Sequence, residues 1–121
     1  MNLKTIINQV ISSKYTAIGI SIIIFVLCTL PNNKVPLGES INDKTAHLIA
    51  FGGWAFCWQS AFGKYTQTIL VGIGFGVFIE IWQGLLPESF YRNFDWIDAV
   101  ADTIGVLAGI IFHRLKMKLN L

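Results

Sequence analysis

The chain has 121 residues, of which 54% are hydrophobic and only 13% are charged. A small domain leaves much of its surface exposed, so this much apolar surface argues against a soluble monomer. The net charge is +2 without a basic block, which excludes nucleic acid as a predicted partner. The composition predicts one all-α integral membrane domain over residues 1–121.

Four segments with few or no charges follow one another along the chain. We predict membrane-spanning helices at residues 15–31, 45–62, 67–86 and 95–113, which are long enough for a bilayer core of ~30 Å. The last span requires a helix that carries Asp98 and Asp102 in or near the membrane boundary. Lys4 and Lys14 before the first segment also suit a signal peptide. No small-x-small cleavage site follows, so we interpret the first segment as a retained helix.

Four spans place both termini on one side of the membrane, and the basic residues then divide unequally. The terminal side holds Lys4, Lys14, Lys64, Arg114, Lys116 and Lys118, and the other side holds Lys34, Lys44 and Arg92. Short cytoplasmic segments carry the excess of Lys and Arg. We therefore predict a four-transmembrane-helix bundle with cytoplasmic N- and C-termini, and outer loops at residues 31–44 and 87–95.

In this orientation, the polar residues of the spans collect near the outer face. Asp43 and His47 share one face of the second span, because they are four residues apart. Glu80 on the third span lies roughly 10 Å below the outer loop, at ~1.5 Å per residue. We predict one outward polar pocket that binds a ligand. Its residues are Asp43, Lys44, His47, Glu80, Gln83, Arg92, Asp95, Asp98 and Asp102.

Glycines recur behind this pocket at helical spacing. The predicted helix-packing residues are Gly72, Gly76, Gly84, Gly105 and Gly109. Small residues four apart let helix backbones approach closely in lipid. We therefore predict that the third and fourth spans pack through these faces and that Glu80 lies against the face of Asp98 and Asp102.

The order and spacing of these residues resemble the VanZ-like family of small bacterial membrane proteins, over residues 42–109. The matching motifs are Asp43-Lys44-x-x-His47-x-x-x-Phe51, Glu80-x-x-Gln83, and Arg92-x-Phe94-Asp95-x-x-Asp98 before Thr103-Ile-Gly105 and Gly109. The chain departs from the family pattern in two places. Asp102 stands where the family usually has Asn, and the link between Pro87 and Arg92 is longer than usual.

The resemblance implies a multi-pass protein of the bacterial cytoplasmic (inner) membrane with a role in the cell envelope. The family is named for a member linked to resistance to the glycopeptide teicoplanin, but it has no settled biochemical activity. We predict a pocket that binds a cell-envelope lipid or a glycopeptide-related ligand, or docks on a larger membrane complex. In this interpretation, Lys44 and Arg92 contact a phosphate or carboxylate.

The excess of acidic groups leaves three alternatives open, because unpaired charge in a membrane is costly. The acids are neutralised by internal salt bridges, by protonation or by a bound cation. Salt bridges alone suggest a purely structural subunit, and a bound cation suggests a metal-assisted enzyme acting on a lipid-linked substrate. No Ser or Cys nucleophile stands beside a base and no His-x-x-x-His spacing occurs, so we favour a binding protein without metal or cofactor.

Overall fold

The computed structural model describes residues 1–36, 38 and 40–121. These residues form five α-helices and no β-strand, so the predicted all-α class is confirmed. The helices are α1 (Leu3–Ile11), α2 (Lys14–Thr29), α3 (Asp43–Phe62), α4 (Tyr65–Leu85) and α5 (Trp96–Lys118). Single 3-10 turns follow α2 and α4, at Asn32–Lys34 and Glu88–Phe90. Positions 37 and 39 of the predicted outer loop lie outside the described residues.

The helices differ in how well they suit a membrane crossing. Among the described residues, α4 and α5 are each long and apolar enough to cross by themselves. The consecutive helices α1 and α2 meet the same criterion only as a pair, and the pair is bent by 59°. α3 has 20 residues, but its charged first turn, His47 and Gln59 lower its hydropathy. Two spans, or three with the bent pair, are therefore clear, where the sequence predicted four.

Helix α1 is an addition to the predicted elements. It begins at Asn2, whose side chain accepts a hydrogen bond from the backbone N–H of Thr5. The next helix has its own cap, because the Ser13 hydroxyl accepts from the backbone N–H of Tyr15. Such capping oxygens satisfy amides that have no partner within the helix. The chain before residue 30 therefore forms two separately capped helices, and the second corresponds to the predicted span 15–31.

A tight turn joins α3 to α4. Gly63 ends α3 with φ 75°, in the left-handed region, and its N–H donates to the carbonyl of Gln59. Glycine adopts this conformation without the steric cost that a Cβ imposes. Lys64 then precedes α4 directly. A turn this short makes α3 and α4 consecutive antiparallel helices.

Helix α5 packs most extensively against α3 and also against α4, while α2 covers α3 and α4. The buried core between them contains Phe51, Trp54, Ile79 and Val106. Large apolar side chains are also exposed on the outer helix surfaces, as at Ile49, which is 64% exposed. Apolar side chains outside as well as inside are expected for a helical bundle in lipid.

The glycines distribute between two helix contacts rather than one. At Gly72, an added Cβ would lie 2.7 Å from Val106 Cγ2 of α5, and Gly84 lies against Phe94. Gly105 and Gly109 of α5 instead face α3, where a Cβ on Gly105 would lie 2.5 Å from the Leu48 carbonyl oxygen. The prediction that all five glycines join the third and fourth spans is therefore wrong for Gly105 and Gly109. Glycine spacing indicates close approach but does not name the partner helix.

Candidate functional site

Three polar side chains from three helices meet near the end of the bundle at which α3 and α5 begin. His47 projects from α3, Glu80 from α4 and Asp102 from α5. His47 Nδ1 lies 2.7 Å from Asp102 Oδ1. Glu80 and Asp102 are both 0% exposed. We call His47, Glu80 and Asp102 the inner triad.

A second layer of charges lies above the inner triad, at the start of α3 and α5. Lys44 Nζ donates to Asp95 Oδ2 at 2.8 Å and to Asp98 Oδ1. His47 Nε2 faces the same layer, 3.8 Å from Asp98 Oδ2 and 3.9 Å from Asp43 Oδ1. We call Asp43, Lys44, Asp95 and Asp98 the outer layer. One imidazole thus stands between two groups of carboxylates.

Helix capping positions this outer layer. The Asn42 side chain accepts from the backbone N–H groups of Lys44 and Thr45, which starts α3 and directs Lys44 across to α5. Asp95 caps α5 by accepting from the N–H of Ile97 at 2.9 Å. The Lys44 hydrogen bond, together with the Ile97 N–H, holds the pKa of Asp95 below its ordinary value. Asp95 therefore serves as a helix cap and as a partner of Lys44.

The inner triad is less well satisfied than the outer layer. Neither carboxylate oxygen of Glu80 has a hydrogen-bond partner among the described residues, and Asp102 Oδ2 also lacks one. Buried polar atoms without partners are uncommon and costly, most of all in carboxyl groups. A proton or a cation bound between Glu80 and Asp102 would give these oxygens a partner.

Arg92 and Gln83, two predicted site residues, lie outside this acidic cluster. Arg92 donates through Nε to the Leu30 carbonyl at 3.1 Å and through Nη2 to the Leu27 carbonyl at 3.0 Å. Gln83 Nε2 donates to the Cys28 carbonyl at 3.1 Å. Both side chains satisfy carbonyls at the C-terminal end of α2, where a positive charge is also favoured. Within the described part of the chain, Lys44 is therefore the one basic side chain, lysine or arginine, that makes ion pairs in this acidic cluster.

A cavity of about 170 Å³ opens beside the cluster, between α2, α3 and the Arg92 loop. Its polar wall is formed by Asp43, His47 and Arg92. Its other wall is mainly apolar and includes Ile24, Leu27, Cys28, Val35, Pro36, Ala46, Ala50 and Phe51. We call this space the outer pocket.

The apolar wall of the outer pocket was not among the predicted site residues. Ala46 and Ala50 are four residues apart on the helix that carries His47. Small residues at that spacing leave space beside a helix, and this was the signal available in the sequence. The contribution of α2 and of Val35 could not be inferred, because it depends on how the loop folds back.

The two cysteines are free thiols, Cys28 beside the pocket and Cys57 in α3.

The fold and the site together define a small helical membrane protein with a buried polar cluster that spans three of its helices. The family model VanZ/LLP1 matches residues 3–117. The chain therefore belongs to the VanZ/LLP1 family. No curated protein matches the chain, and neither does any solved structure.

Proposed function

We propose that this protein crosses the bacterial inner membrane four times and binds the head group of an envelope lipid in the outer pocket. The outer pocket carries this proposal, because one wall is charged and the other is apolar. A lipid has the same division between its head and its chains. Ligand sites commonly combine apolar walls with a few polar groups that fix orientation.

The proposed topology rests on the length and pairing of the helices. Twenty residues of α3 extend about 30 Å, which matches the bilayer core despite the polar residues of that helix. The tight turn at Gly63 sends α4 back beside it. The polar side chains of α3 are largely turned inward, since His47 and Gln59 are buried. In this arrangement both termini are cytoplasmic and the outer pocket faces outward.

The charges at the outer pocket favour a head group with both signs. Arg92 and Asp43 are its oppositely charged wall residues, and the Asp43 side chain is 53% exposed. Lys44 is already held by Asp95 and Asp98. We therefore assign the phosphate of the ligand to Arg92 and an amine or hydroxyl to Asp43. A cavity of 170 Å³ holds a head group and not a whole lipid.

Filling the outer pocket tests the proposal. Ala46→Trp places an indole in the pocket, whereas Ile49→Trp adds the same group on an exposed face of the same helix. Because the indole occupies the space of the head group, we expect A46W to lower the lipid that co-purifies in mild detergent by at least about tenfold, which is about 1.4 kcal/mol of binding free energy. I49W should retain the lipid. Native mass spectrometry of the purified protein measures both.

Equal lipid retention by A46W and I49W would reject the lipid ligand. If A46W loses the lipid and I49W keeps it, reconstitution into vesicles of phosphatidylethanolamine or of phosphatidylglycerol identifies the head group, because only the first offers an amine to Asp43. If A46W instead loses a co-purifying protein while its lipid content is unchanged, the outer pocket is a docking site for a larger membrane complex.

A further inference from the structure

We propose that the inner triad, His47, Glu80 and Asp102, binds one divalent transition-metal cation. Each residue offers one ligand atom, and the three atoms lie within 4.8 Å of one another. Metal–ligand bonds of ~2.0–2.2 Å require these atoms to be no more than ~4.4 Å apart. Small side-chain rotations are therefore enough to form the site.

The state of Glu80 is the observation that points to a bound cation. Its carboxyl group is 0% exposed, and neither oxygen has a hydrogen-bond partner among the described residues. Asp102 Oδ2 is in the same condition on the facing helix. The Glu80 carboxylate and the unpartnered Oδ2 of Asp102, beside one imidazole, are the ligand set of a metal that takes nitrogen and oxygen.

The charge balance also favours a divalent cation. Two ionised carboxylates and a neutral imidazole carry a charge of about −2, and a divalent ion brings the inner triad to zero. Lys44 pairs with Asp95 and Asp98 in the outer layer, where its single positive charge is already exceeded by the acids, and among the described residues it makes no ion pair with the inner triad. Without a metal, two protons have to perform the same neutralisation.

The backbone is shaped to bring the two carboxylates together. Gly76 lies four residues before Glu80 on α4, and an added Cβ there would lie 3.0 Å from Asp102 Cβ and 3.1 Å from Asp102 Oδ2. The absence of a side chain at Gly76 thus lets Asp102 approach the face of α4 that carries Glu80. His47 also lines the outer pocket, which provides a route for the ion from the outside.

The donor set selects the kind of metal. One imidazole and two carboxylates suit Zn²⁺ or Mn²⁺, whereas Ca²⁺ requires six to eight oxygen ligands. The three ligands come from α3, α4 and α5, so the ion would link three helices. Metal bound in this way stabilises the folded state.

Metal titration of the purified protein tests this proposal without any lipid ligand. We expect metal-stripped protein to bind Zn²⁺ or Mn²⁺ at one ion per chain, measured by calorimetry and elemental analysis. Glu80→Gln and Asp102→Asn should each weaken binding at least about tenfold, since loss of even an outer-shell partner costs that much. Asp43→Asn is the matched control, because Asp43 is an acid of the outer layer that lies 3.9 Å from His47 Nε2 and is not one of the three proposed ligands.

A second measurement guards against variants that fail to fold. Pulsed EPR on the wild-type protein with Mn²⁺ should detect one coordinated imidazole nitrogen, and binding should release about two protons if it replaces them. The absence of stoichiometric binding to wild-type protein overturns the proposal. Binding that survives E80Q and D102N but is lost in D43N also overturns it, because the ion then lies in the outer layer. Glu80 does not line the outer pocket, so E80Q should lose metal and retain the co-purifying lipid, and failure of this proposal is distinguishable from failure of the lipid proposal.

Discussion

At the scale of single residues, the two cations near the cluster have different tasks. Lys44 binds the acids of α5, whereas Arg92 satisfies carbonyls at the end of α2. The sequence placed both near Asp95 and Asp98, because all four lie at the same predicted membrane boundary. It could not separate them, since the partner of Arg92 is a backbone oxygen that no side-chain pattern reveals.

The pH dependence of stability tests the bond between Lys44 and Asp95. Lys44 and the Ile97 N–H lower the pKa of Asp95 in the folded protein. Asp95 therefore stabilises the fold at pH values above about 4, the pKa of an Asp in the unfolded chain. This stabilisation is lost as the pH falls through the lower pKa that Asp95 has in the folded protein. Asp95→Asn should therefore lower the melting temperature at neutral pH, and the difference from wild type should disappear in acid.

Trp fluorescence in detergent, followed from about pH 3 to about pH 8, measures these melting temperatures. Glu88→Gln is the control, because Glu88 is an exposed acid that has no ion-pair partner among the described residues. A D95N difference that stays constant over the whole pH range would show that Asp95 acts only as a neutral cap of α5.

At the scale of helices, the contact between α3 and α5 depends on glycine. A Cβ on Gly109 would overlap the Gly52 carbonyl of α3, whereas a Cβ on Gly74 meets nothing within 4 Å. Gly109→Ala should therefore push the two helices apart at a cost of about 1–3 kcal/mol. Gly74→Ala should be neutral or stabilising by up to about 1 kcal/mol, because alanine loses less entropy in a helix.

Thermal stability of purified protein, read as the fraction that stays monodisperse after heating, compares these two variants. Equal stability of G109A and G74A would mean that α3 and α5 tolerate a wider separation than the structure has. The glycine pattern identified Gly109 as a packing residue in advance. Its partner Gly52 was not identified, because a glycine in an apolar helix gives no direction by itself.

Helix α1 shows a second limit of the apolar pattern. Leu3, Ile6, Ile7 and Val10 recur at helical spacing and are all exposed. An amphipathic helix of this kind is expected to lie along a membrane surface. Because α1 is too short to cross, it lacks the long apolar segment that predicts a span. The predicted spans agree with α2, α4 and α5 to within a few residues, because the apolar runs of these helices are interrupted by few charges.

At the scale of the whole molecule, α3 decides the topology. It is the helix that carries His47, and its polar residues make it less apolar than α4 or α5. The predicted span 45–62 nevertheless coincides with the helix itself. If α3 crosses, the outer pocket and the loop before α5 lie on the same side of the membrane. If α3 does not cross, the loop before α3 and the loop before α5 lie on opposite sides of the membrane.

Cysteine accessibility distinguishes these arrangements. Ser40→Cys and Ser89→Cys report the two proposed outer loops, and Lys64→Cys and Asn120→Cys report the proposed cytoplasmic side, each in a background without native cysteines. All four positions are exposed. We expect a membrane-impermeant maleimide to label positions 40 and 89 in intact spheroplasts, and to label 64 and 120 only after lysis.

Each alternative topology gives its own labelling pattern. Labelling of 64 and 120 in intact spheroplasts, with 40 and 89 protected, means that the orientation is inverted. Equal labelling of 40 and 64 means that α3 does not cross, because those positions flank it. In that case the loops before α3 and α5 lie on opposite sides of the membrane, which a pocket lined by both Asp43 and Arg92 does not allow, and the lipid site proposed there would be rejected. A four-crossing pattern with outward loops instead opens the outer pocket to the outside, as the proposed lipid site and the proposed route of the ion require.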